Sequence, residues 1–324
     1  MFKVLIGIFK RKRRGITVLI VLLLALAIWA GYQVVWTGFN KRVLWDWMEL
    51  LIIPMVLSLG ALLFQRAERK IERENTLDKQ RQEALMTYYD RMDTLLLQSG
   101  LRESKEKDEV RTLARTRTLA VLRNLDSIRK RYALQFLYDA GCVRGDKPIV
   151  ELDKADLNEA NLEGILLMGI NLRRAYMNLA NFKRSFLSGG DLSFARLNHA
   201  KLNHAIFEGA NLSNAELKKA NLEGAWLNGA RMGWADLEGA NMKRVDMHLA
   251  NLRGANLKWA NLEGSRLDEA LMEDADLEGV NLTNTSLIPE QLARVLNLRG
   301  AIMPDGTKYE QWLNNGKPDW NKTK

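Results

Sequence analysis

From Leu152 to Leu287 every fifth residue is Leu, Met or Phe, 28 positions without a slip of frame. Two residues before each, 19 of the 28 positions are Ala and the rest are Gly, Ser, Thr, Val or Ile. A period of five is neither the 3.6 of an α-helix nor the 2 of a strand, so no single face of either could collect these residues. A chain that turns a corner once per repeat can collect them inside a coil. Sorting the repeats by four separates columns with different habits. Asn recurs at 161, 181, 221, 241, 261 and 281, broken only by Lys201; Ala stands at 155, 175, 195, 215, 235, 255 and 275; Gly stands at 169, 189, 209 and 229. A five-residue period alone would not segregate them, so the coil is twenty residues long. The repeats then make about seven coils, and at about 4.8 Å per coil a shaft roughly 34 Å long.

The unit Ala-(Asp/Asn)-Leu-x-x, seen in Ala155-Asp156-Leu157, Ala160-Asn161-Leu162 and Ala220-Asn221-Leu222-Glu223-Gly224, resembles that of the pentapeptide-repeat family. The resemblance covers residues 150–288 and implies a right-handed quadrilateral β-helix, an all-β solenoid with four repeats per coil. The chain as a whole is similar to membrane-anchored cyanobacterial members of that family. The likeness lies in Trp45-Asp46-Trp47, in a charged connector over 65–141, and in Pro289-Glu290-Gln291-Leu292 followed by Gly300–Gly306.

The charge sits at the front. Residues 1–149 carry 27 Lys and Arg against 16 Asp and Glu, whereas residues 150–287 carry 15 against 19. Lys10, Arg11, Lys12, Arg13 and Arg14 precede an uncharged run, Ile16–Trp36, long enough to cross a bilayer. A second apolar stretch, 43–64, follows a short loop. Pro54 is expected to kink it without ending it. The reading is a two-helix transmembrane hairpin, with Trp36, Trp45 and Trp47 as interfacial anchors and both ends in the cytoplasm, the basic cluster facing anionic headgroups. A cleaved signal peptide is the alternative, but its apolar core is shorter and a second span would not follow. The expected location is a bacterial plasma or thylakoid membrane. The segments are thus 1–15, the hairpin 16–64, a helical connector 65–149, the β-helix 150–288, and a cap and tail 289–324.

In the connector, Leu85, Tyr89, Met92 and Leu96 repeat at helical spacing up to a stop at Ser99-Gly100. A second helix is expected from near Ser104, with Val110, Leu113, Ala114, Val121 and Leu125 on its apolar side. A third is expected from Asp126 as N-cap to Gly141, burying Ile128, Tyr132, Phe136 and Ala140. It would cover the first coil, and Pro289–Leu296 would cover the last.

Outside the coils the Asp/Asn position and the two residues after Leu point to solvent. One column departs from that polarity: Leu166, Phe186, Ile206 and Trp226 occupy the Asp/Asn place in four successive coils. Such a stripe is a docking or self-association face, or else it is covered by the connector. His199 and His204 have no partners at metal-ligand spacing, and the single Cys142 excludes a disulfide framework. Asp268, Glu269, Glu273, Asp274, Asp276 and Glu278 read as an acidic, soluble end. No paired carboxylates, cofactor motif or metal set points to an enzyme. Three functions remain. The first is a membrane-tethered scaffold for an unidentified protein partner or a second copy. The second is an oligomeric channel with Asp46 and Glu49 at its mouth. The third is DNA mimicry, which the interleaved Lys and Arg disfavour, so no nucleic acid is expected as a partner.

Overall fold

A computed structural model of the chain describes residues 41–316, with side chains from Pro54 onward apart from that of residue 289. Its helices are α1 (Lys41–Leu97), α2 (Glu109–Asn124), α3 (Ser127–Asp139), α4 (Pro289–Leu292) and α5 (Tyr309–Asn314), with the repeats between α3 and α4. The chain divides into two units, Met1–Thr76 and Leu77–Lys324.

In the first unit α1 runs on through Pro54 and past Phe64 into the charged residues beyond, where Lys70 and Glu74 pair at 3.6 Å. The expected boundary at residue 64 is therefore no break in the helix; no cap or turn residue stands there to end it. Met55, Leu57 and Phe64 are exposed. Among the described residues no helix is long and apolar enough to cross a membrane. The expected span 16–36, Trp36 and the basic cluster 10–14 lie outside the described residues, as do the side chains of Trp45, Asp46, Trp47 and Glu49. The hairpin thus finds no support in the part of the chain that is described.

In the second unit the end of α1 buries Leu85, Tyr88, Met92, Leu95 and Leu96. Tyr88 donates its hydroxyl to Thr118 Oγ1 at 2.9 Å, and Thr118 donates onward to Ala114 O at 2.8 Å. Burial pushes the Tyr88 hydroxyl above its ordinary pKa. The buried face of α2 is therefore Ala114, Thr118 and Leu122, while Leu113 turns outward. The helix starts at Glu109, later than expected near Ser104, because Asp108 Oδ2 accepts from the preceding Lys105 N–H at 2.6 Å.

Asp126 caps α3 as expected, accepting from the N–H groups of Ile128 at 3.1 Å and Arg129 at 2.9 Å. Burial opposes its charge, but these bonds and the Arg129 guanidinium outweigh it and hold its carboxyl below the usual range. Half of the expected face packs inward, Phe136 and Ala140 lying partly buried against the core. Ile128 and Tyr132 are exposed, and Lys130, Ala133, Leu134, Leu137 and Tyr138 are buried. The reason is the surface beneath: an open coil edge needs donors as well as apolar cover. Lys130 Nζ reaches Asp156 Oδ1 at 3.2 Å and Asn158 O at 3.0 Å, and Tyr138 donates to Met168 O at 2.9 Å. Ser127 O and Val143 O accept the edge N–H groups of Asn161 and Asn171. The open ladder of the first coil is thus partly closed, as a solenoid end requires.

The coils repeat at twenty residues: Asp156 bridges Tyr176, Asn161 bridges Asn181, Leu166 bridges Phe186, and so on along the shaft. Inward Leu, Met and Phe are buried, and so is the small residue two before each except Thr285, which is half-buried. Each wall contributes a single bridge per coil, so no extended strand forms among the described residues and the solenoid is all-β only in this reduced sense. The cause is the turn at every corner. Ala160 N–H returns to Leu157 O at 3.1 Å, and the second corner residue takes positive φ, 58° at Glu159. Between coils, Leu157 N–H donates to Tyr176 O at 2.8 Å and Tyr176 N–H to Ala155 O at 2.9 Å.

The far end departs from expectation. The expected segment covers part of the end, burying Leu292 and Val295, but the chain then rejoins the ladder, with Asn297 bridging Asp276 and Ile302 bridging Asn281. The terminal cover is α5, whose Tyr309 and Trp312 are buried in the core cluster.

Candidate functional site

Four of the five backbone N–H groups in a repeat are served by the inter-coil ladder and the corner turn. The fifth, on the residue after the inward Leu, is in most repeats served by a side chain, at Asn178, Asn198 and Lys218 by the Asn Oδ1 one coil back. Asn158 N–H donates to Asp156 Oδ1 at 3.1 Å, and Lys258 and Thr283 donate in the same way to Asn256 and Asn281 at 3.2 and 3.0 Å. The outward Asp or Asn is therefore an Asx-turn residue, structural before it is functional. Asn side chains also ladder between coils: Asn181 Nδ2 to Asn161 Oδ1 and Asn241 Nδ2 to Asn221 Oδ1, both 3.1 Å.

Against this rule the stripe stands out. Leu166, Phe186, Ile206 and Trp226 have no acceptor atom, so the N–H groups of Met168, Ser188, Glu208 and Asn228 go without an Asx turn. Leu166 is 55%, Phe186 38% and Trp226 52% exposed, with Ile206 half-buried between them. No described residue of the second unit covers the row. The glycine column at the adjoining corner is coextensive with it, Gly169 to Gly229, and a Cβ at any of the four would meet nothing within 4 Å. Both end in the next coil, at Asp246 and Leu249. Over those four coils this wall carries one charged side chain, Glu208.

The other three walls neutralise themselves coil to coil. Arg196 meets Glu216 at 3.2 Å, Lys218 meets Glu238 at 2.9 Å and Asp236 at 3.1 Å, and Lys243 meets Glu263 at 2.8 Å. The bonds to Glu238 and then Asp236 raise the Lys218 pKa, and Lys243 lowers that of Glu263. Much of the acidic end is paired in the same manner. Asp268 is held by Arg266, Glu273 by Arg253, and Asp276 and Glu278 by Lys258. Among the described residues no group of His, Cys, Asp and Glu could hold a metal ion. A shallow cavity of about 190 Å³ beside Arg111, Arg115 and Glu151 is smaller than ligand pockets usually are.

A second apolar set was not anticipated. Leu179, Phe194, Trp234, Leu249 and Trp259 stand exposed at corners with positive φ. Among the described residues seventeen non-glycine residues take this conformation, so φ alone does not call for glycine there. Where glycine sits above a Trp, the ring calls for it: a Cβ at Gly254 would lie 2.6 Å from Trp234 Cε3, and one at Gly279 would lie 2.4 Å from Trp259 Cδ1. The legible signal was Gly twenty residues after an outward Trp. Gly254→Ala is expected to cost about 1 kcal/mol in urea denaturation, and markedly less when Trp234 is already Ala, a coupling a double-mutant cycle reads directly.

Comparison with known proteins places the repeats. The family model for pentapeptide repeats matches in eight copies between residues 151 and 288. No curated protein matches the chain. Among solved structures, a pentapeptide repeat protein from Nostoc PCC 7120 is 32% identical over 33% of this chain and 84% of its own, with a TM-score of 0.24. HetL, a pentapeptide repeat protein involved in heterocyst differentiation regulation from Nostoc sp. strain PCC 7120, is 29% identical over 49% and 87%, at 0.22. Trypsin-treated QnrB1, a plasmid-mediated fluoroquinolone resistance protein, is 17% identical over 51% and 84%, at 0.37. The family match stops short of residues 1–150, so it lends nothing to the membrane-anchored subclass.

Proposed function

Through residues 151–288 the chain belongs to the pentapeptide-repeat family, and on that footing we propose that it is a non-enzymatic scaffold, a right-handed β-helix that presents one apolar wall to a protein partner. The observation that carries the reading is the stripe itself. Four consecutive coils give up the Asx turn and place Leu166, Phe186 and Trp226 in water, with Ile206 half-buried among them, a choice no requirement of the fold explains. An exposed apolar patch of roughly a few hundred Å² on an otherwise charged shaft marks an interface. DNA mimicry fits less well, because carboxylates along the other walls are matched by Lys and Arg one coil away.

The scaffold is held at a bacterial plasma or thylakoid membrane by the apolar stretches of residues 16–36 and 43–64, with N- and C-termini on the cytoplasmic side and Lys10–Arg14 at anionic headgroups. The exposed Met55, Leu57 and Phe64 support this, since such side chains on one helix call for lipid or protein cover. The test is cross-linking in native membranes followed by mass spectrometry, comparing the natural chain with Phe186→Asp/Trp226→Asp. Partner cross-links at this wall are expected to disappear while the circular dichroism of the shaft is retained. An unchanged cross-link pattern would refute the docking wall.

A further inference from the structure

We infer that the occupant of the apolar wall is the same wall of a second copy, packed antiparallel about a two-fold axis between the Phe186 and Ile206 rungs. The inference rests on the docking-wall reading and adds the partner's identity. A two-fold interface is self-complementary, so each rung meets a different rung of its mate. With the axis there, Leu166 faces Trp226 and Phe186 faces Ile206: in both pairs a larger ring meets a smaller aliphatic, and the walls can stay parallel. A parallel arrangement would oppose Trp226 with Trp226 and Leu166 with Leu166, holding the walls apart at one end and open at the other.

Beside the stripe the same operation sets Ser188 opposite Glu208, a hydroxyl donor against the one charged side chain of the wall over these coils. The glycine corners meet each other, Gly169 against Gly229 and Gly189 against Gly209, and neither side chains nor nearby atoms hinder close approach.

Charge at the two ends of the wall also selects the antiparallel form. At the first coil the chain segment paired with Gly169 and Ile170 brings in Arg144, exposed and stacked 3.7 Å over the Tyr138 ring, followed by exposed Asp146 and Lys147, so that the segment is net positive. Past the stripe the same wall turns acidic, with Asp246, Asp268 and Glu269 against Arg266 alone. Antiparallel packing brings each basic end toward the acidic end of the mate; parallel packing would gather both acidic ends.

The area sets the strength. The stripe with Met168 offers roughly 400–500 Å² per copy, so the pair buries about 800–1,000 Å² in all, at the low end for a specific interface. A single helix or peptide from another protein would use the stripe but leave the complementary ends unused.

The experiment uses the full chain in native membranes. Cys142 is its one cysteine and is buried, so new thiols report alone. Chains carrying Leu166→Cys and chains carrying Trp226→Cys are co-expressed and treated with a bis-maleimide that spans about 10 Å, the spacing of packed β walls, as are Phe186→Cys with Ile206→Cys. Cross-linked dimers are expected in both mixtures and at least tenfold less in chains with Leu166→Cys or Trp226→Cys alone. Dimers from a single variant would overturn the antiparallel pairing. No dimer in any combination would overturn self-association. If cross-links to other proteins still vanish in Phe186→Asp/Trp226→Asp, the docking wall stands with a foreign occupant; if nothing changes there, both readings fall. Since all four residues point outward, retained circular dichroism separates these outcomes from misfolding.

Discussion

Phe207→Ala is expected to lower the stability of the shaft by about 3–5 kcal/mol in urea denaturation, the range for emptying a well-packed aromatic site. Phe207 is 1% exposed and sits in an inward ladder between Leu187 and Leu227. The coil cannot collapse onto the space it leaves, because its backbone is tied above and below; Phe207 N–H donates to Trp226 O at 2.7 Å and Ile206 N–H to Ser185 O at 2.9 Å. In a solenoid, stability is a sum of repeat and neighbour terms, so the lesion also uncouples the coils on either side. A reduced denaturant slope is the expected sign. Trp226→Ala, one coil on but facing out, is expected to change stability by less than about 1 kcal/mol. That contrast matters for function: loss of an interaction in Trp226→Ala reports on the wall. A loss in Phe207→Ala alone would report on the shaft.

The same inside–outside logic explains what could be read from the residues. The inward positions were legible because their constraint is steric and repeats without a break; any polar or oversized residue would show. The four walls were legible because columns twenty residues apart keep their habits. The stripe could be seen as an exception, but why it is costly could not. Asp156 and Asn256 look like solvated surface until their side-chain oxygens are found on the N–H two residues ahead. On α3 two apolar stripes compete in the sequence, and the coil edge chose the one with Lys130 and Tyr138 because it needed donors. Single-helix periodicity carries no such information about the surface beneath.

The segment after the last regular repeat shows how a small signal carries a large effect. Through the regular coils the outward residue donates its N–H to the carbonyl twenty-one positions back, as Asn281 does to Ala260, and Leu296 does the same to Ala275. Residue 291 should serve Ala270 O in that way, but its N–H is committed to Ile288 O within α4. The Gln291 side chain takes over. Its amide donates to Ala270 O at 3.0 Å and Leu267 O at 2.8 Å, and its Oε1 accepts from Ile288 N–H at 3.1 Å. Gln291→Ala is therefore expected to cost about 1–3 kcal/mol, the penalty of stranding a buried carbonyl, whereas Leu267 O keeps Ala270 N–H. Gln291→Glu preserves size but turns an acceptor toward two carbonyls. It should be the worse variant at pH 7. Its carboxyl is disfavoured as an anion there, so its folded pKa lies above the unfolded value of about 4.3 and the deficit shrinks as pH falls through that raised pKa. Urea midpoints of the two variants at pH 7 and pH 4.5 test this. If Gln291→Ala matches the natural chain, the amide is not the rung that joins α4 to the coil. If Gln291→Glu shows no recovery on acidification, its side chain does not face the carbonyls.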